Sequence, residues 1–258
     1  MTTRDHPWPA GSPCWADIVV ADLDAARAFY GPVLGWEFEV GRPDNGGYLV
    51  GMLDGRRVAG LTTPAADGPV PAAAWCVYLA TPDVAASVAR AVELGAGVLI
   101  EPTAVLDRGT TALLADPTGA VVGLWQSDTN PGWTLVDAPG APTWSEVFSH
   151  DQAASLAFYT GLFEYTVRDL SGGGLTYAVL DVGHHPAAGV GAYGAGAGGG
   201  APAAWTLYLA VDDTDATADR VGAHGGKVLQ EPVDTPYGRV AIVSGPSGEV
   251  FAVMHPVA

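Results

Sequence analysis

Trp15-Ala-Asp-Ile-Val-Val-Ala-Asp-Leu-Asp-Ala-Ala-Arg-Ala-Phe-Tyr30 reads as a short strand, a turn and a helix. The same pattern returns about 129 positions later as Trp144-Ser-Glu-Val-Phe-Ser-His-Asp-Gln-Ala-Ala-Ser-Leu-Ala-Phe-Tyr159. Trp15 matches Trp144, Asp17 matches Glu146, Asp22 matches Asp151, and Phe29-Tyr30 matches Phe158-Tyr159. A repeat at this period means a doubled unit, and a chain of 258 residues has room for two ordinary domains.

Working outward, Asp22 is a candidate helix N-cap, since its carboxylate can accept from the free N–H groups of the first turn. Ala25, Ala26, Ala28 and Phe29 predict a helix ending near Gly31-Pro32. Trp36 to Val40 follows as a strand, and 48–53 with 58–61 as a hairpin around Asp54-Gly55. After a Pro/Gly-rich loop over 63–70 the order restarts. A strand spans 75–80, Asp83 is a second cap, and a helix over 84–94 stops at Gly95. Three strands follow, to Gln126.

The second half repeats this order. Four βαβββ units result, an α+β fold with concave mixed sheets. The predicted divisions are an arm at 1–12 forming no element, a first domain at 13–126, a linker at 127–141 and a second domain at 142–258. Trp133 and Leu135 suggest that the linker packs down. The glycine-rich run 191–200 reads as a low-complexity loop, and its glycines need no phosphate to explain them.

Charge narrows the partners. The 28 acids against 11 bases give a formal charge of −17. Nucleic acid and anionic membrane both require basic patches, so neither is expected. The acidic surface points instead to cationic planar compounds. Two cysteines, Cys14 and Cys76, read as reduced thiols rather than a disulfide framework. With no signal-like N-terminus and no long apolar run, a cytoplasmic protein is expected, as monomer or homodimer.

These residues resemble the vicinal oxygen chelate superfamily, which includes glyoxalase I, bleomycin resistance proteins and extradiol dioxygenases. The resemblance rests on the four units, on Asp-Leu-Asp-Ala-Ala-x-x-Phe-Tyr after the first strand, and on two endings. These are 115–126 (Ala-Asp-Pro-Thr-Gly-Ala-Val-Val-Gly-Leu-Trp-Gln) and the run from Tyr237-Gly-Arg to Gly-Glu-Val-Phe251. Among members, the chain resembles the tandem-domain actinobacterial proteins of glyoxalase-like or hydroxylase type. The resemblance covers nearly the whole chain and implies two tandem glyoxalase/bleomycin-resistance-type domains.

It also implies where a metal would sit. The family's His or Gln position falls on Trp15 and Trp144, the position opening the second unit on Cys76 and Thr206, and the late Glu position on Gly123 and Ala252. A catalytic metal needs about three N, O or S donors converging on one point. Indole N–H only donates, and Gly and Ala have no donor side chain. The expectation is therefore no family metal and no other cofactor. None of the six histidines replaces a ligand, since they fall in the arm, turns, a helix end and the tail.

Alternation along a strand puts residues two apart on one face. If Trp15 points into the sheet's open face, so does Asp17, joined from the next unit by Cys76 and Tyr78. The second half offers Trp144, Glu146 and Phe148 with Thr206 and Tyr208. Trp125 and Met254 are candidates for the rims, and Tyr48 and Tyr177 are repeat-related with unassigned facing. Arg239 could anchor an anionic or carbonyl group, or pair with an acid on the surface. Each cup reads two ways: as a pocket in which indoles stack on a flat organic molecule and the carboxylate receives its O–H or N–H, or as plain core with the carboxylates paired to nearby arginines. A buried carboxylate lacking a partner has a raised pKa and can exchange protons, which makes Asp17 and Glu146 the catalytic candidates. Two functions follow: sequestration of a small planar or aromatic molecule, as in drug resistance, or a metal-independent lyase, isomerase or cyclase.

Overall fold

In the computed structural model, residues 1–41, 47–64, 73–194 and 201–257 are described. The first half runs β2 (Pro13–Val19), α1 (Leu23–Leu34), β3 (Glu37–Val40), β4 (Leu49–Leu53) and β5 (Arg56–Thr62). It continues with β6 (Trp75–Ala80), α2 (Val84–Glu93), β7 (Gly97–Val105), β8 (Gly109–Ala115) and β9 (Val121–Ser127). The second half repeats the order as β11 (Pro142–Ser149), α3 (Gln152–Leu162), β12 (Tyr165–Asp169), β13 (Tyr177–Val182) and β14 (His185–Ala192). Then come β15 (Ala204–Ala210), α4 (Thr214–Ala223), β16 (Lys227–Thr235), β17 (Gly238–Ser244) and β18 (Val250–Pro256).

Each half folds into one eight-stranded mixed sheet, in the orders β3-β4-β5-β2-β6-β9-β8-β7 and β12-β13-β14-β11-β15-β18-β17-β16. The first strands of the two units, β2 and β6, pair antiparallel at the centre, and each runs parallel to the last strand of its own unit, β5 or β9. The four βαβββ units of the sequence are therefore present, joined in pairs.

Local chemistry explains the boundaries. Asp22, Asp83, Asp151 and Asp213 each cap a helix by accepting from a first-turn N–H. Asp54 and Gly55 both have positive φ, as a tight two-residue hairpin turn requires. Helix α1 does not end at Gly31-Pro32 as expected but continues to Leu34 and closes at Gly35 in the left-handed region. An internal proline loses its N–H bond and crowds both the preceding turn and the residue before it, and Gly31, with no side chain, removes the last of these penalties. The ending is then set by Gly35, whose N–H bonds the Gly31 carbonyl at 2.8 Å.

The arm at 1–12 does contain an element. Thr2–Thr3 (β1) pairs antiparallel with Leu135–Val136 (β10) in the linker. The Trp8 indole donates to the Trp133 carbonyl at 3.1 Å, and the two rings meet edge to face at 6.4 Å. Two residues of strand have no sequence signature; the pairing exists because the linker lies alongside. Trp133 and Leu135 are buried, as expected. The loop expected at 63–70 falls largely outside the described residues (65–72), as does the end of the glycine-rich run (195–200).

The core crosses the repeat. Phe29 and Tyr30 of α1 pack with Leu207, Val221, Val243 and Phe251 of the second half. Phe158 and Tyr159 of α3 pack with Val77, Leu79, Val88 and Leu114 of the first half. The helices thus lie between the two sheets, α1 against α4 and α2 against α3. Two buried hydrogen bonds repeat the exchange: Tyr30 donates to Glu249 at 2.7 Å and Tyr159 to Asp116 at 2.9 Å. Since Val77 and Leu79 face the helices, Cys76 and Tyr78 between them face the other side.

Candidate functional site

The face of the first sheet opposite the helices carries a cavity of about 120 Å³. Its floor is built from β2 and β6, whose register sets Trp15 opposite Tyr78 and Asp17 opposite Cys76. Tyr48, entering from just before β4, completes the floor. The Trp15 indole N–H donates to the Tyr48 hydroxyl at 2.9 Å, and that hydroxyl donates to Asp17 at 3.3 Å. The Tyr78 hydroxyl lies 3.1 and 3.2 Å from the two Asp17 oxygens. Asp17 is therefore a carboxylate held by phenols, not by an arginine.

Burial pushes the Asp17 pKa up to about 7; the Tyr78 and Tyr48 hydrogen bonds oppose the rise without cancelling it. Burial also raises both tyrosines, and the Asp17 charge adds to this, so at neutral pH the phenols remain donors. The Cys76 thiol is raised by burial and by Asp17, which leaves it a protonated, inert group. It faces the cavity side without donating to the carboxylate.

Two glycines make this floor possible. A Cβ on Gly60, which stands beside Asp17 in the β2–β5 pairing, would lie 1.7 Å from the Tyr48 hydroxyl oxygen. A Cβ on Gly123 would lie 2.1 Å from the Tyr78 ring. The Tyr78 ring thus occupies the space before the position where the resemblance places a metal-binding glutamate. Around that point stand an indole donor, two phenol donors, one thiol and one carboxylate. This set does not fit a three-donor metal centre. Among the described residues, no group of three His, Cys, Asp or Glu side chains converges on a metal-sized site.

The second half repeats the floor. Trp144 donates to the Tyr177 hydroxyl at 3.1 Å, and Tyr177 donates to Glu146 at 2.7 Å. The Tyr208 hydroxyl bonds the other Glu146 oxygen. Burial raises the Glu146 pKa against these hydrogen bonds. Gly189 leaves room for the Tyr177 hydroxyl as Gly60 does for Tyr48. The cups differ above the floor. Phe148 stands where the first half has Val19, and its ring sits between Tyr177 and Tyr193, at 6.1 and 5.7 Å. It lies so close to Gly191 that a Cβ there would come within 2.4 Å of the ring. Thr206 lies opposite Glu146 in the register but makes no bond to it.

Of the expected site residues, Trp15, Asp17, Cys76 and Tyr78 come together in one place, and Trp144, Glu146, Thr206 and Tyr208 in the other. Arg239 joins neither. Its guanidinium is held by Asp215 at 2.5 and 2.8 Å and by Asp234 at 3.0 Å, so its role is the surface ion pair. This corrects its assignment as a ligand-binding residue: Asp215 lies in the first turn of α4, on the helix side of the sheet. Sequence reading missed Arg57 and Arg108, which line the first cavity with Trp125 and Asn130. Neither belongs to the repeat, and each reaches the cavity from a strand end or turn whose position only the folded sheet supplies.

Comparison with known proteins agrees with this architecture. Residues 15–124 match the family model "Glyoxalase-like domain", and residues 142–253 match "Glyoxalase/Bleomycin resistance protein/Dioxygenase superfamily". The chain is 36% identical over 252 residues to the Mycobacterium bovis protein named "Putative glyoxylase CFP32", covering 95% of both chains. It is 33% identical over 259 residues to the anthracycline biosynthesis protein DnrV of Streptomyces peucetius, covering 95% of this chain and 93% of that one. In fold it is similar to the Mn(II)-bound glyoxalase from Novosphingobium aromaticivorans, with TM-score 0.67, 21% identity, and 95% and 82% of the two chains covered. It is also similar to the 2,3-dioxygenase LapB from Pseudomonas sp. KL28, with TM-score 0.64, 15% identity, and 96% and 94% covered.

Proposed function

The chain belongs to the glyoxalase/bleomycin resistance protein/dioxygenase superfamily, and we propose that its first half binds a small planar organic molecule without the family's metal. The carrying observation is the Trp15–Tyr48–Asp17–Tyr78 constellation beneath an open cavity. A cavity of about 120 Å³ approaches the roughly 150 Å³ that holds a benzene. It therefore takes one ring of a larger flat molecule, with the rest projecting from the mouth. Trp15 and Trp125 provide ring faces, and Asp17 receives an acidic hydroxyl. Relatedness to an anthracycline biosynthesis protein supports a hydroxylated aromatic ligand. The second half, in which the Phe148 ring packs between Tyr177 and Tyr193, serves as a structural partner.

The test uses 2-naphthol and calorimetric titration of the full chain. Binding unchanged by EDTA supports the reading. Binding that EDTA abolishes and Mn²⁺ restores overturns its metal independence. Absence of binding overturns the assignment of the cavity.

The Asp17 pKa near 7 favours a second reading, in which the same site abstracts a proton beside a carbonyl as a metal-independent lyase or isomerase would. The ionised carboxylate takes the C–H proton, the C–H electron pair becomes the enolate, and a tyrosine O–H donates to its oxygen. In D₂O, wild type should accelerate deuterium exchange at C1 of 2-tetralone, and Asp17→Asn should remove the acceleration. Equal rates with both proteins would leave sequestration alone. In that case the same substitution weakens 2-naphthol by about one hydrogen bond, on the order of 1 kcal/mol.

A further inference from the structure

The mouth of the first cavity has a charge opposite to that of the molecule. Only 11 of the 258 residues are Lys or Arg, yet two of them, Arg57 and Arg108, line this one cavity. Both are half-buried. They are close enough that burial and the Arg108 charge together lower the Arg57 pKa, while Glu39 pulls weakly the other way. Among the described residues neither guanidinium has a carboxylate within ion-pair distance, unlike Arg56, Arg90, Arg168 and Arg239.

The pair is also built in place. The Arg57 backbone N–H donates to the Thr134 hydroxyl at 2.7 Å, and one guanidinium nitrogen donates to the Asn130 side chain at 2.8 Å. The Arg108 carbonyl accepts from the N–H groups of Asp128, Thr129 and Asn130. The Asn130 carbonyl in turn receives the Trp125 indole at 2.9 Å. One short segment therefore ties both arginines and an aromatic wall to the same rim. The repeat isolates the feature: in the second half the matching positions are Pro186 and Tyr237.

We propose that the first cavity selects an anionic ligand, a hydroxylated aromatic carboxylate whose carboxylate is received by Arg57 and Arg108 while its ring enters between Trp15 and Trp125. Two neighbouring cations with no carboxylate in ion-pair contact among the described residues repel each other, and a planar carboxylate relieves that repulsion through paired N–H···O bonds. The overall charge of −17 works against any anion at long range, so the preference comes from short-range contacts at the rim. This inference rests on the binding reading above and specifies its ligand class.

The experiment compares 2-naphthol with 6-hydroxy-2-naphthoate, which adds one carboxylate at the far end of the same ring system, by titration calorimetry of the full chain at pH 8 and low salt. The expected result is at least tenfold tighter binding of the carboxylate. Arg57→Gln and Arg108→Gln should each reduce the affinity ratio several-fold, and the double variant should bring it near one. Raising the salt in wild type should shrink the ratio, a readout independent of whether the variants fold. Binding of 2-naphthol with no gain from the carboxylate, or a ratio that survives both the double substitution and added salt, overturns the anion proposal alone. Binding of neither compound overturns it together with the binding reading.

Discussion

Asp17 is the residue on which the chemistry turns, and its environment has thermodynamic consequences. Its pKa in the folded chain is about 7, above the ordinary carboxylate value near 4 that it regains on unfolding. Between those values the folded state holds a proton that the unfolded state has lost. Stability from this group is therefore fully present below about pH 4 and falls as pH rises toward 7. Asp17→Asn, neutral throughout, should gain on wild type at pH 8 relative to pH 5, on the order of 1 kcal/mol given solvent access through the cavity. Urea midpoints at the two pH values measure this; an identical difference at both would mean that Asp17 is not perturbed. Arg239→Gln should leave 2-naphthol affinity within twofold, because Asp215 and Asp234 hold that side chain away from the cup. A tenfold loss on titration would return Arg239 to the site.

At the scale of elements, the site depends on strands close enough to need glycine. Gly60→Ala would drive a methyl into the Tyr48 hydroxyl and against the Asp17 Cβ. The expected cost is about 1–3 kcal/mol by denaturant unfolding, with loss of 2-naphthol binding as Tyr48 is expelled. A neutral substitution would mean that Tyr48 is not seated over Gly60. Gly123→Glu would restore a carboxylate at the family's late ligand position. Even so it should not create a metal site, because the Tyr78 ring stands in the space its Cβ needs. Stoichiometric Mn²⁺ uptake by this variant in calorimetry would contradict that picture. The hydrophobic pattern announced the strands and helices, and Asp22 and Asp83 announced two helix starts that the structure repeats at Asp151 and Asp213. It was silent on β1 and β10, two residues each, which exist only through each other.

At the scale of the whole molecule, the two halves are joined through their cores. Tyr30 and Tyr159 each carry a proton to a buried carboxylate of the other half, Glu249 and Asp116. Tyr30→Phe leaves the fully buried Glu249 without one of its donors, with only the Ser247 N–H remaining on the other oxygen. The expected loss is about 1–3 kcal/mol. Because Phe29 also stacks edge to face on Phe251 at 6.4 Å, unfolding should remain one cooperative transition in wild type and in this variant. Two separated transitions in calorimetry would show that the halves are independent. No helix among the described residues is long and apolar enough to cross a membrane.

The sequence by itself determined the doubled βαβββ plan, the capped helices, and the two indole–carboxylate–phenol floors. These follow from local periodicity and a repeat, and alternation along a strand is enough to place Trp15, Asp17 and Tyr78 on one face. Only the tertiary structure decided the rest. It made the Asp17 partners phenols rather than arginines, since Tyr48 reaches it across a strand pairing 31 positions distant. It interleaved each half's first helix with the other half's sheet. It also drew Arg57 and Arg108 to a single rim and set the Phe148 ring between Tyr177 and Tyr193 in the second half. Each of these is a non-local contact, fixed by register and by how two sheets pack, and neither propensity nor spacing along the chain encodes such distances.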